Sequence, residues 1–366
     1  MHVAFIDPVN WQYAVDAPFD RPFGGSQSAL CYLAVELART GHVVTLINGS
    51  SQISHQQGVR VCPLGSLGSR EFIRGIDVVV VLNGVIGCEL RKLAGADIPL
   101  VLWNQHSYDQ PAVQPLLRGQ EREAWDAIVF VSEWQRGHFE RLFAVTRERS
   151  TVLRNAVAPP FVANKAPTAW YRSEKPPVFF YSSTPFRGLD LLLEAFRVVH
   201  AAVPAARLRV FSSMSVYQVA GHEDPFTGLY ELCRTTPGVE YVGSLGQARL
   251  AVEIAGAAAL TYPSTFEETS CIAALEAMAI GATVLSTDIG ALPETTAGFA
   301  RTCSLQASKE QLVQSYAELV IGWLEAVQQD PSAQDQRRAE QMQFVRDHYT
   351  WPKRAPEWAQ FLHSLI

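Results

Sequence analysis

Residues 266–281 read Phe266-Glu267-Glu268-Thr269-Ser270-Cys271-Ile272-Ala273-Ala274-Leu275-Glu276-Ala277-Met278-Ala279-Ile280-Gly281. From Cys271 to Ser286 every residue is apolar, small or hydroxylic except Glu276. A segment apolar on all sides belongs in a protein interior, where an unpaired carboxylate is costly. Glu276 therefore needs a partner, either another protein group or a ligand entering from outside. If Glu268 and Glu276 were both helical they would stand ~12 Å apart along the axis. Paired glycosidase carboxylates sit ~5–9.5 Å apart, so these two acids read instead as gripping different parts of one elongated ligand. Thr269, Ser270 and Cys271 fall at the helix start, where free backbone N–H groups and the dipole favour a phosphate. Ribose or sugar hydroxyls flanking that phosphate suit the carboxylates. The alternative is structural: Glu268 caps the helix and Glu276 pairs with an internal arginine.

Working outward, the chain alternates strands with helices twice over. In the first half Val3–Ile6, Val43–Ile47, Asp77–Leu82, Pro99–Trp103, Ala127–Val131 and Thr151–Leu153 read as strands. Several are continuous apolar runs, as expected of strands buried on both faces of a parallel sheet. Ser28 to Thr40 carries apolar residues at helical spacing. Residues 155–177, with Pro159-Pro160, Pro167 and Pro176-Pro177, read as a linker. The pattern then restarts with strands at Val178–Tyr181, Arg207–Phe211, Val239–Val242, Ala258–Tyr262 and Thr283–Ser286, and Ser308 to Tyr349 is largely helical. Two doubly wound α/β domains follow from this alternation. We place them at residues 1–158 and 170–349, with a last helix over 350–366 expected to pack back on the first. Ligands of such sheets bind beyond the carboxyl ends of the strands, which directs attention to Gly24, Gly25, His106, Ser132, Asn155, Ser182 to Arg187 and Thr265 to Cys271.

The 366 residues are 48% hydrophobic and 18% charged, ample apolar material for two cores. A net charge of −6 argues against bulk attraction to nucleic acid or anionic lipid. Arg136, Arg141, Arg147, Arg149 and Arg154 form a local run interleaved with Glu133, Glu140 and Glu148. It reads as a mixed-charge surface, with peripheral membrane or acceptor contact as the alternative. The cysteines are scattered without a Cys-x-x-Cys pair, which suits reduced thiols and a cytoplasmic location. A strand beginning at His2 is expected to leave no room for a signal peptide, and no apolar run reaches the ~18–20 residues of a membrane span. Metal-ligand spacings, a Gly-x-Ser-x-Gly elbow and a Walker loop are all missing from the sequence.

Ser182-Ser183-Thr184-Pro185-Phe186-Arg187-Gly188-Leu189 joins a strand to a helix, a good place for a guanidinium to hold a diphosphate. His106 follows a buried strand within a polar cluster, Trp103-Asn104-Gln105-His106-Ser107-Tyr108-Asp109. Together these residues resemble the retaining, GT-B-fold nucleotide-sugar glycosyltransferases of the glycosyltransferase family 4 (group 1) type. Glu268 to Glu276 is similar to that family's E-x7-E motif, and Gly290-Ala-Leu-Pro-Glu294 to its G-x-x-x-E continuation. Arg187-Gly188-Leu189 resembles the donor-phosphate loop, Gly24-Gly25 the first-domain glycine loop, and Asn155 the linker position.

The resemblance implies a GT-B fold of two Rossmann-like domains facing across a cleft, and transfer of a sugar from a nucleoside-diphosphate donor to a hydroxyl acceptor. It implies catalytic roles for His106, Arg187 and Glu268. It places Gly24, Gly25, Asn155, Ser183, Arg187, Ser270, Cys271, Ile272 and Glu276 at the donor, with Glu276 on the ribose and Glu268 on the sugar. No metal and no cofactor beyond the donor is expected. Thr269-Ser270-Cys271 stand where the family often has Gly-Phe-Gly, which narrows the room around the sugar. A noncatalytic nucleotide-sugar-binding subunit and a GT-B nucleotide-sugar epimerase remain as alternatives. The base, the sugar and the acceptor (glycan, lipid-linked or small-molecule) stay open.

Overall fold

The computed structural model describes residues 1–163, 167–173 and 175–366. Part of the expected linker, residues 164–166 and 174, lies outside the described residues. The chain divides into two units: Met1–Pro18, Gly25–Ala156 and Tyr349–Ile366 form the first, and Phe19–Gly24 with Val157–His348 form the second.

The first unit is built on eight strands: β1 His2–Ile6, β2 Val43–Asn48, β3 Ser54–Gln56, β4 Val59–Pro63, β5 Val78–Leu82, β6 Leu100–Trp103, β7 Ala127–Phe130 and β8 Ser150–Val152. Their spatial order is β3-β4-β2-β1-β5-β6-β7-β8, parallel throughout except for the antiparallel β3–β4 pair. β5, β6 and β7 are buried along their whole length. Each is a continuous apolar run because helices cover both faces of a parallel sheet. The sequence pattern did not reveal β3 and β4. All of β3 is exposed, and Arg60 interrupts the apolar run of β4. The last helix, Trp351–His363, lies against the helix Gly25–Arg39. Trp358 meets Trp103 at the end of β6 edge-on, with ring centroids 4.8 Å apart.

The second unit has six parallel strands: β9 Val178–Tyr181, β10 Arg207–Val210, β11 Val239–Tyr241, β12 Ala259–Tyr262, β13 Thr283–Thr287 and β14 Arg301–Cys303. They are ordered β11-β10-β9-β12-β13-β14. The order reverses between β9 and β12, which pair through Ala259 with Phe179 and Leu260 with Phe180. At such a switch point the two loops leaving the strands diverge and leave room for a ligand. The helical tail is two helices, Lys309–Gln329 and Pro331–His348. They part at Asp330, whose backbone is non-helical (φ −137°) because a residue before proline is disfavoured in the α region. Among the described residues no helix is long and apolar enough to cross a membrane.

Candidate active site

The loops that leave β9 and β12 carry the chemistry. After β9 the chain runs through Ser182–Gly188 into the helix Leu189–Ala202. Tyr181 braces this loop by donating its hydroxyl to the Thr184 carbonyl at 2.6 Å, and Ser212 Oγ donates to the Ser183 carbonyl at 2.6 Å. Gly188, the N-cap of the helix, has φ +94°. A Cβ there would lie 2.3 Å from the Pro263 carbonyl oxygen, so the β9 and β12 loops touch backbone to backbone.

Arg187 reaches across to Glu268, which is 3% exposed. The guanidinium donates to Glu268 Oε1, and the Tyr262 hydroxyl donates to the same oxygen. The guanidinium also lies 4.6 Å from the Phe266 ring centroid. Burial works against its charge, but Glu268 overrides that and holds Arg187 well above its ordinary pKa. The Tyr262 phenol is likewise pushed far up, by burial and then by Glu268, so it stays a donor. The Arg187 Nε, Ser182 Oγ and Thr184 Oγ1 atoms are buried without a hydrogen-bond partner among the described residues. These orphaned atoms fit a loop meant to meet a further polar group.

The helix carrying Glu276 is Ile272–Ala279, with Cys271 as its N-cap. Glu268 is therefore in the preceding loop, which corrects the alternative that it caps this helix. Cys271 makes no side-chain cap hydrogen bond, so the helix N-terminus is left for another partner. Its thiol is buried and pushed well up by that burial, a neutral wall of the site. Ser270 and Ile272 are half-buried. Glu276 is 4% exposed, and Gln247 Nε2 donates to its Oε1 at 3.0 Å. Burial raises its pKa to about 8. The alternative of an internal arginine partner is corrected here: the partner is an amide, and no ion pair reaches Glu276 among the described residues.

Gly290, with φ +61°, sits on the backbone of Glu268: a Cβ there would be 2.6 Å from its nitrogen and 2.7 Å from its oxygen. Ala291 N–H donates to the same Glu268 carbonyl at 2.7 Å. Gly290→Ala is expected to lose about 1–3 kcal/mol of stability and to displace Glu268, with a matching loss of turnover. Gly298→Ala is the control, because Gly298 has a similar φ of +79° with open space around it. Denaturant melts and turnover of the two variants separate strain from the contact on Glu268.

Of the expected site residues, Ser183, Arg187, Glu268, Ser270, Cys271, Ile272 and Glu276 collect at the carboxyl edge of the second sheet. Gly24 closes the short segment counted with that unit. His106, Gly25 and Asn155 belong to the first unit. Gly25 opens the helix Gly25–Arg39. The His106 loop is tightly braced: Gln135 Nε2 donates to the carbonyls of Asn104 at 3.1 Å and His106 at 2.8 Å. Asn155 Nδ2 donates to Gln105 Oε1 at 2.9 Å, and Gln105 N–H donates to Asn83 Oδ1 at 2.7 Å. His106 Nδ1 is buried without a partner among the described residues, and burial lowers the imidazole's pKa, favouring the neutral ring. Among the described residues no three or more His, Cys, Asp or Glu side chains gather as a metal site. Tyr262 and Gln247 were not legible as site residues: one ends an apolar strand, and the other opens an unremarkable helix.

Residues 175–325 match the family model described as Glycosyl transferases group 1. No curated protein sequence matches the chain significantly. Among solved structures, a sucrose-phosphate synthase from Thermosynechococcus elongatus is similar with a TM-score of 0.73 at 16% identity, covering 100% of this chain and 98% of that one. The Alr3699/HepE protein of Anabaena, solved in complex with UDP, is similar with a TM-score of 0.71 at 16% identity over 100% of both chains. WaaG, a glycosyltransferase involved in lipopolysaccharide biosynthesis, is similar with a TM-score of 0.65 at 17% identity, covering 96% of this chain and 98% of that one. At such identity the likeness shows the fold, which is GT-B.

Proposed function

We propose that this chain, whose residues 175–325 carry the group 1 glycosyltransferase match, moves a sugar from a nucleoside-diphosphate sugar to a hydroxyl acceptor with retention at the anomeric carbon. The observation that carries the reading is Glu276: a buried carboxyl with an amide for a partner, about one helical turn from an N-terminus whose N-cap, Cys271, makes no side-chain bond. That arrangement suits a ribose on the carboxyl and a diphosphate at the helix start.

In this reading Arg187 and the helix N-terminus stabilise the charge that develops on the departing diphosphate. Glu268, held by Arg187 and Tyr262, orients the sugar through its hydroxyls. The acceptor hydroxyl attacks on the leaving-group face and passes its proton to the phosphate, so no protein nucleophile is required. His106, in the first unit, is proposed to act as a neutral imidazole, since burial lowers its pKa. Protein groups alone meet the diphosphate charge, and the enzyme works in the cytoplasm.

A thermal-shift panel of UDP, GDP, ADP, dTDP and their sugars tests the donor. A ligand at ~100 times its dissociation constant should stabilise the wild type by about 2.7 kcal/mol. The Anabaena relative makes UDP and UDP-glucose the first to try, since it was solved with both. A folded protein that answers to no nucleotide overturns the donor reading. Binding without turnover of any nucleotide sugar, across hydroxyl acceptors and water, favours a noncatalytic subunit.

A further inference from the structure

We propose that Gln247 is a positioning residue for the nucleotide: it holds one oxygen of the Glu276 carboxyl, leaves the other to the ligand's vicinal hydroxyls, and is itself held by the segment Phe19–Gly24 through Gly246. This rests on the reading of Glu276 as the ribose acceptor.

Gln247 is the first residue of the helix Gln247–Glu253, and Gly246 is its N-cap. Gly246 has φ −62° and ψ 151°, ordinary extended backbone that any residue adopts. Its singular feature is a contact. A Cβ there would lie 2.7 Å from the Phe19 carbonyl oxygen, 2.8 Å from the Asp20 carbonyl carbon and 2.9 Å from the Arg21 nitrogen. These are backbone atoms and cannot swing aside as a side chain would. The segment that ends at Gly24 therefore rests directly on the residue before Gln247, and both belong to the second unit.

The side chain of Gln247 then does what a cation could not. An amide N–H fixes one carboxyl oxygen without adding charge, so the carboxyl remains free to respond to the ligand. The charged groups nearby are committed elsewhere. Arg338, on the helix packed against Ile272–Ala279, donates to the carbonyls of Gly281 at 3.2 Å and Pro167 at 2.8 Å. Arg249, on the helix of Gln247, pairs with Glu253 at 2.5 Å. Arg187 pairs with Glu268. Cys271, the N-cap of the Glu276 helix, is kept neutral by burial, and Glu294 stands on the short helix Leu292–Thr296 packed against that helix.

The test is calorimetric titration from pH 6 to 9 with UDP, or the diphosphate the panel selects, and with its 2′,3′-dideoxy analogue. Wild type, Gln247→Leu, Gln247→Lys and Gly246→Ala are compared. Gln247→Leu is expected to weaken the parent nucleotide about tenfold, the equivalent of ~1.4 kcal/mol, while barely touching the dideoxy analogue. Gly246→Ala should reproduce several-fold of that loss, and Gln247→Lys should move the pH dependence of binding down by a unit or more. Equal losses on both nucleotides, or none in Gln247→Leu and Gly246→Ala, overturn the proposal.

If the wild type binds no nucleotide, the functional reading has failed and the coupling is read without ligand. Gln247→Lys should then raise stability at pH 8 relative to pH 5 only while Glu276 is present, and not in the Glu276→Gln background. An equal gain in both backgrounds overturns the Gln247 assignment.

Discussion

Arg187→Ala is expected to lower stability by about 3–5 kcal/mol and to cut sugar transfer by about two to three orders of magnitude. The stability loss arises because the substitution strands Glu268, whose side chain is 4% exposed, with only the Tyr262 hydroxyl. A buried carboxylate without its cation costs far more than the pair contributed while intact. The Arg187 side chain keeps 21% of its surface, which places the effect toward the lower part of that range. In a thermal melt the shift should be on the order of 10 °C. The loss of transfer has a separate cause, since the guanidinium is the cation facing the departing diphosphate in the proposed reaction.

The two causes can be separated with the double variant Arg187→Met/Glu268→Gln. Removing both charges should restore most of the stability, because neither partner is left buried and unpaired. Transfer should stay lost. Because the double variant also removes the carboxylate that orients the sugar, turnover returning along with stability would remove both Arg187 and Glu268 from the chemistry and leave them a structural ion pair.

Glu276→Gln should do the opposite to stability, raising it by about 1–3 kcal/mol at pH 7 while abolishing the response to nucleotide. The ordinary carboxyl value is 4.5, and burial lifts Glu276 to about 8 in the folded chain. Below pH 4.5 both states keep the proton and the residue costs nothing. Between pH 4.5 and 8 the unfolded chain releases the proton and the folded chain retains it, so stability falls as pH rises. Above pH 8 the loss levels off. Glutamine keeps the shape without that penalty. Denaturant melts of both proteins between pH 5 and 8 should diverge steadily, and parallel curves would disprove the assignment.

The same shift bears on binding. Ribose hydroxyls donate to the ionised carboxylate better than to the neutral acid, so nucleotide affinity should rise with pH toward 8. A site that binds by stabilising its own least comfortable charge trades stability for function.

The runs at Val78–Leu82, Leu100–Trp103 and Ala259–Tyr262 determine a doubly wound α/β chain from sequence alone, because strands covered on both faces are apolar nearly throughout and carry no charge. Two of the rim strands, β3 and β14, escaped the same reading. The segments Ser54–Gln56 and Arg301–Cys303 lie largely outside the core and carry little burial signal. At the site, the sequence announced that Glu276 is buried, since nothing else polar to the point of charge stands between Cys271 and Ser286. It could not say what Glu276 meets. Gln247 lies 29 positions away, and Arg187, the cation that meets Glu268, lies 81 positions away from it. Local periodicity decides which residues turn inward, because that depends on near neighbours and solvent. Which buried group faces which depends on strand order, here the reversal between β9 and β12, and that order is a property of the whole folded chain.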